Sequence, residues 1–263
     1  MRERLRRHRR GILGLTLVLG LILGLCLALF AAQAESRWPA SPSNRLQNNG
    51  KLKVDANRIN DGGYFQASVK SRTSKRMKLR VKKGSTTLTY DLNSNAEYEV
   101  FPLQLGSGKY EITLWENVSG KKYSSAGKVS LNVKLTREDG AFLYPNQYVN
   151  YTKLSEAVAK AAELCEGKSE KETFEIIKKF MTSSFVYDFV KAATIKAGVL
   201  PDIDGSYKKH MGVCQDLSAI MVCMLRTQGI PSRLIIGYAD KNYHAWTVTE
   251  IDGQEVFFDP TAA

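Results

Sequence analysis

The hydrophobic pattern of this chain changes period once, and that change limits the folds open to it. From residue 51 to about 137 apolar and polar residues alternate; from about 151 the apolar ones recur at helical spacing. Alternation places one set of side chains on one face of a strand, whereas a 3.6-residue repeat draws a stripe along a helix. Strands are expected at 51–57, 64–70, 75–81, 86–92, 98–103, 109–116 and 128–135. The turn signals Asp61-Gly62-Gly63, Lys83-Gly84-Ser85, Gly106-Ser107-Gly108 and Ser119-Gly120-Lys121 fall between them. Short strands at this spacing suggest a β-sandwich of immunoglobulin-like type, here without cysteines to brace it. Nothing in it looks catalytic; a folded spacer and a targeting or substrate-presenting module both fit.

Beyond it, Thr152 can cap a helix carrying Leu154, Val158, Ala161 and Cys165, ended by Gly167. Ser169 and Glu172 form a capping box for a second helix with Phe174, Ile177, Phe180 and Met181 on one face. Asp202-Ile203-Asp204-Gly205 lacks the remaining ligands and the terminal glutamate of a calcium loop and reads as a turn. A third, strongly apolar helix runs from Cys214 past Leu225 and is stopped by Gly229-Ile230-Pro231. Strands at 233–239, 243–251 and 255–258 complete an antiparallel meander. The expected fold is α+β: a β-sandwich-like domain at 51–137, then a helical half against a small sheet at 151–263.

The first 34 residues read as an export segment. Six arginines and one glutamate precede an uncharged run at 11–30, and Ala32-Gln33-Ala34 follows. A basic start, an apolar run and an A-x-A site describe a signal peptide. A run this long could also span a bilayer, and uncleaved it would be a signal anchor, the chain's one membrane contact. Either way the chain after about Glu35 lies outside the cytoplasm, secreted or held at the envelope. Residues 35–50, with Trp38-Pro39-Ala40-Ser41-Pro42-Ser43, show no period and read as a linker. The segment 1–34 carries +5 of the net charge of +12, leaving +7. That excess suits an anionic cell-envelope polymer, but it is scattered like an ordinary solvated surface, and no nucleic-acid motif accompanies it.

The chemistry concentrates in the C-terminal half. Cys214 starts the third helix, where unpaired N–H groups and the helix dipole favour thiolate over thiol. A buried structural cysteine is the alternative reading. Cys223 falls on the opposite helix face as a small packed side chain, and Cys165 is expected reduced and buried. Asp252-Gly253 is a two-residue hairpin signal. With that turn Ile251 faces Gln254 and Asp259 faces Trp246, so His244 lies diagonal to Asp259 on the same side of the sheet, within side-chain reach. Taken alone, His244 is an ordinary half-buried strand residue and Asp259 a turn residue before Pro260. Together, Cys214, His244 and Asp259 supply a nucleophile, a base and an orienter. His210 reads as an exposed loop residue. The scattered cysteines and histidines offer no zinc spacing, so neither metal nor cofactor is expected.

Four motifs give the C-terminal half a family resemblance: Gly212-Val213-Cys214-Gln215-Asp216, Gly229-Ile230-Pro231-Ser232-Arg233, His244-Ala245-Trp246 and Asp259-Pro260-Thr261. From about Thr152 onward the chain resembles the transglutaminase-like superfamily, distant relatives of the papain-like thiol enzymes. Tyr187-Asp188 also looks like the short strand that precedes the nucleophile in bacterial members. The resemblance implies a papain/transglutaminase-like catalytic fold with Cys214 as nucleophile, His244 as base and Asp259 as orienter. The substrate would be a protein or peptide amide, and the outcome transglutamination, deamidation or proteolysis. A catalytically idle envelope scaffold or binding module of the same fold is the competing class. The chain stops at Ala263, almost immediately after the aspartate motif, where many relatives continue, so material that would brace Asp259 or wall the cleft is expected to be missing.

Overall fold

The computed structural model describes residues 38–43, 46–239 and 242–262. The chain divides into two units, Met1–Trp38 and Pro39–Ala263, and the description concerns the second. The expected export segment lies outside the described residues. Among those described, no helix is long and apolar enough to cross a membrane.

Eight strands form the first half: β1 Leu46–Asn49, β2 Leu52–Asp55, β3 Tyr64–Val69, β4 Met77–Lys83, β5 Thr86–Leu92, β6 Glu99–Pro102, β7 Gly108–Ser119 and β8 Lys122–Val133. They make two antiparallel four-stranded sheets, ordered β1-β2-β3-β6 and β5-β4-β7-β8. Both sheets contribute to one core. Leu52, Val54, Phe65, Ala67 and Phe101 come from the first; Leu79, Val81, Tyr110, Ile112 and Leu114 come from the second. Strand β4 shows why: Met77, Leu79 and Val81 are buried while Arg80 and Lys82 between them are exposed. Burying each such aliphatic side chain stabilises by about 1.5–3 kcal/mol.

Residues 35–50, expected as a linker, differ. Strand β1 lies in their last part, and upstream the Ala40 N–H donates to the Tyr64 hydroxyl at 2.9 Å while Gln66 donates to the Ala40 carbonyl at 2.9 Å. The Ser43 hydroxyl donates to Asp55 at 3.0 Å. This is an edge strand whose residues are mostly exposed, so its sequence carries no hydrophobic period. At the Gly50 turn, φ is +57° and a Cβ would meet the Ala126 carbonyl oxygen at 2.3 Å, so only glycine fits.

The second half runs α1 Glu156–Cys165, α2 Glu170–Ser184, β9 Val186–Tyr187, α3 Phe189–Thr194, α4 Ile203–Lys209, β10 Met211–Gly212, α5 Cys214–Thr227, β11 Ser232–Ala239, β12 Asn242–Ile251 and β13 Gln254–Phe258. Helix α1 starts after Ser155 rather than Thr152, whose hydroxyl instead accepts from the Leu154 N–H at 3.2 Å. Leu154 is therefore 93% exposed, outside the helix, and Ala157, Ala161 and Cys165 form its buried stripe. The Ser169–Glu172 capping box is present at the start of α2. Asp202-Ile203-Asp204-Gly205 is a helix start rather than a turn, because the Asp202 carboxylate accepts the Gly205 N–H at 2.9 Å and caps α4. Helix α5 has no solvent face: every residue from Asp216 to Thr227 is buried, enclosed by α1, α2, α4 and the sheet β11-β12-β13. The architecture is α+β, with a sheet-rich half ahead of a helical half that packs on a three-stranded meander.

Candidate active site

Three local structures bring the site together. The first is the start of α5. Strands β9 and β10 pair in parallel over two residues each, Val186 with Met211 and Tyr187 with Gly212, directly ahead of Cys214. The Asp188 N–H donates to the Gly212 carbonyl at 3.0 Å, holding that backbone in place. A Cβ on Gly212 would sit 2.8 Å from the Asp216 Cβ, so the approach requires glycine.

The second is Asp216, fully buried in the first turn of α5. Its carboxylate accepts the Val213 N–H and the Asp202 N–H, each at 3.0 Å, and pairs with the Lys191 ammonium of α3 at 2.7 Å. One carboxylate thus caps the nucleophile's helix and ties in the α4 start and α3. A buried carboxylate is tolerable only when paired and hydrogen-bonded in this way. In the sequence Asp216 stands only within the Gly212–Asp216 motif, without a role of its own, and Lys191 carries no signal. For Asp216 a signal was available: an aspartate two residues into an apolar helix has to find partners.

The third is the β12–β13 hairpin. Asp252 and Gly253 have φ of +50° and +77°, as a type I′ turn demands, and Ile251 pairs with Gln254. Continuing that register sets Asp259 across from Trp246 and diagonal to His244. The imidazole Nε2 and the Asp259 Oδ2 are 2.6 Å apart. The opposite carboxylate oxygen accepts the Thr261 N–H at 2.8 Å and the Thr261 hydroxyl at 2.7 Å. Bracing that was expected to be missing is thus supplied within the Asp259-Pro260-Thr261 motif. Burial works to raise the Asp259 carboxyl, but the hydrogen bonds from His244 and Thr261 outweigh it and hold it below the usual carboxylate range.

Cys214 is half-buried at the head of α5, with its sulfur against the backbone N–H groups of Ala245, next to His244, and of Gln215. Helix α5 and strand β12 are joined by the Ser218 hydroxyl donating to the Ala245 carbonyl at 3.3 Å. The expectation of a thiol lowered by the helix start does not hold for the free protein. Burial pushes the Cys214 thiol up, and the charges of Asp259 and Asp216 add to it; the two N–H groups only partly offset this. Tyr187 is also pushed up, first by burial and then by the charges of Cys214, Asp259 and Asp216.

Exposed apolar side chains follow Tyr187 in the chain. Tyr187 packs edge-on against Phe189 at 5.0 Å between ring centroids. Phe189 and Val190 are 77% and 78% exposed; Val199 and Leu200, also exposed, adjoin the nucleophile's helix through Gln215, which donates to the Val199 carbonyl at 3.0 Å. Across the sheet, Trp246 stacks near His244 at 6.4 Å. His210 takes no part: exposed and left-handed at φ +51°, it caps α4 and its Nδ1 meets the Ser184 carbonyl at 2.9 Å. Cys165 and Cys223 are free and buried, and burial pushes both thiols up.

Comparison with known proteins adds a family match. Residues 158–260 match the family model described as the transglutaminase-like superfamily. Among solved structures, the chain is similar to an inferred cysteine protease from Cytophaga hutchinsonii, at 16% identity and a TM-score of 0.41 over 82% of this chain and 78% of that one. It is similar to an inferred protease from Parabacteroides distasonis, at 16% identity and a TM-score of 0.36 over 71% and 38%. It is also similar to the periplasmic domain of TgpA from Pseudomonas aeruginosa bound to ethylmercury, at 15% identity and a TM-score of 0.37 over 84% and 76%. No curated protein matches the chain.

Proposed function

We propose that the chain, whose residues 158–260 match the transglutaminase-like superfamily model, is an exported thiol enzyme acting on protein amide bonds through Cys214, His244 and Asp259. The observation that carries this is the 2.6 Å contact between His244 Nε2 and Asp259. It fixes the ring and leaves Nδ1 as the nitrogen that can take the thiol proton. With burial pushing the Cys214 thiol up, His244 acts as a general base at the moment of attack. The sulfur adds to the amide carbonyl, and first-turn N–H groups of α5 are the available donors for the developing oxyanion. His244 returns the proton to the departing amine, which leaves a thioester on Cys214. Water then yields cleavage or deamidation, and a second amine yields a cross-link. The exposed apolar side chains of Phe189, Val190, Val199 and Leu200 suit apolar residues flanking the reacting amide. Export rests on the basic and apolar start of the sequence, and the basic surface suits an anionic envelope.

The test is to incubate the purified chain with a protein substrate and a labelled primary amine and read substrate masses. Amine incorporation, deamidation or cleavage that disappears in Cys214→Ala and His244→Ala supports the reading and selects the outcome. None of the three in the wild type would leave an idle scaffold of the same fold.

A further inference from the structure

A cavity of about 370 Å³ lies where the β-sandwich meets the second half, and it includes none of Cys214, His244 or Asp259. Its sandwich wall comes from β5 and β6, including Leu88 and Val100; its other wall is Leu234 and Ile236 of β11. Tyr148 and Tyr243 complete it with rings that are 37% and 67% exposed. Arg226 of α5, 2% exposed, also lines it.

This arginine is unusual in its company. Its Nε donates to the Ser232 carbonyl at 2.8 Å and its Nη1 to the Tyr144 carbonyl at 2.6 Å. Among the described residues no carboxylate pairs with it and Nη2 has no hydrogen bond. Burial lowers its pKa to about 10, so it stays charged at neutral pH. A buried cation without a counter-charge is costly. The cavity lining supplies none: it contains two arginines and no aspartate or glutamate. The other, Arg233, is already paired with Glu255 and lies over the Phe142 ring. The free acceptor demand therefore falls on Arg226 alone, in a chamber of apolar and aromatic side chains with Thr89, Gln104, Asn146 and Gln147 among them.

We propose that this cavity is a binding site for a carboxylate carried on an apolar, aromatic-sized body, with Arg226 as its anionic anchor. Guanidinium recognises carboxylate through paired, charge-assisted hydrogen bonds, and the ligand would supply the missing counter-charge. The volume falls in the range of small-ligand pockets. The carboxylate belongs either to a free acid or to the C-terminal residue of a polypeptide.

Binding to the full chain is measured by calorimetry with two acid–amide pairs: 3-phenylpropionate against 3-phenylpropanamide, and acetyl-glycyl-phenylalanine against its C-terminal amide. In at least one pair the acid should bind about tenfold tighter or more than its amide, since the amide cannot answer the charge. The pair that shows it identifies the source. Arg226→Met should abolish the preference. If that variant fails to fold, Leu88→Trp, which fills the chamber from the sandwich side and leaves Arg226 in the chain, should weaken acid binding by a similar factor. No binding by either acid, equal binding of acid and amide, or tight binding retained in Leu88→Trp would each overturn the site.

Discussion

The nucleophile's environment sets out testable chemistry residue by residue. Cys214 is raised above an ordinary thiol, so its thiolate fraction is small at neutral pH and grows as pH climbs. Iodoacetamide labelling of Cys214 should therefore rise with pH through and beyond about 8.5, rather than reach a plateau below 7, and should outpace labelling of the buried Cys165 and Cys223 at every pH. Peptide mapping by mass spectrometry checks both points. Lys191 neutralises Asp216 beside that thiol. Lys191→Met leaves a buried carboxylate unpaired, which should cost about 3–5 kcal/mol of stability and move the labelling profile further to alkaline pH. Lys191→Arg should restore the profile, an effect a packing role alone would not produce. Asp259 has the opposite sign: its carboxyl is lower in the folded chain, so its stabilising contribution is complete above the ordinary value of about 3.9 and is lost as pH falls through the folded value. Acid unfolding curves of Asp259→Asn should lack that part of the loss.

At the level of elements, the apolar start of α3 is the feature to test. Phe189→Ser should raise KM for a protein substrate several-fold with little change in kcat, because the exposed ring is not one of the three triad side chains. Much of this half was legible in the sequence. The Asp252-Gly253 turn and strict two-residue parity placed His244 beside Asp259 without any coordinates, since a short turn fixes register for every residue after it. The capping box at Ser169 and the strands with clean alternation, such as β4 and β5, were readable for the same local reason. What escaped depends on partners distant in sequence. Strand β1 has no apolar period because it is an edge strand whose residues are mostly exposed. Residues 122–127 of β8 show no buried alternating face, and the register shifts at Leu114/Trp115 and Asn117/Ser119 interrupt their pairing. The thiol's direction depends on burial and on two carboxylates, one of them forty-five positions away, and no helix-start rule contains that.

For the molecule as a whole, three cysteines without a disulfide among the described residues carry a consequence of their own. The two halves are held together by non-covalent contacts, such as the Tyr64–Tyr144 ring pair at 4.7 Å and the Arg226 bond to the Tyr144 carbonyl. Thermal unfolding followed by calorimetry should thus give the same Tm with and without excess dithiothreitol, and a fall on reduction would reveal a cross-link. The fold is in this respect indifferent to redox potential while its candidate nucleophile is not. An oxidant that converts Cys214 to a sulfenic acid would silence the chemistry and leave the scaffold standing, and a mild reductant would switch it back on.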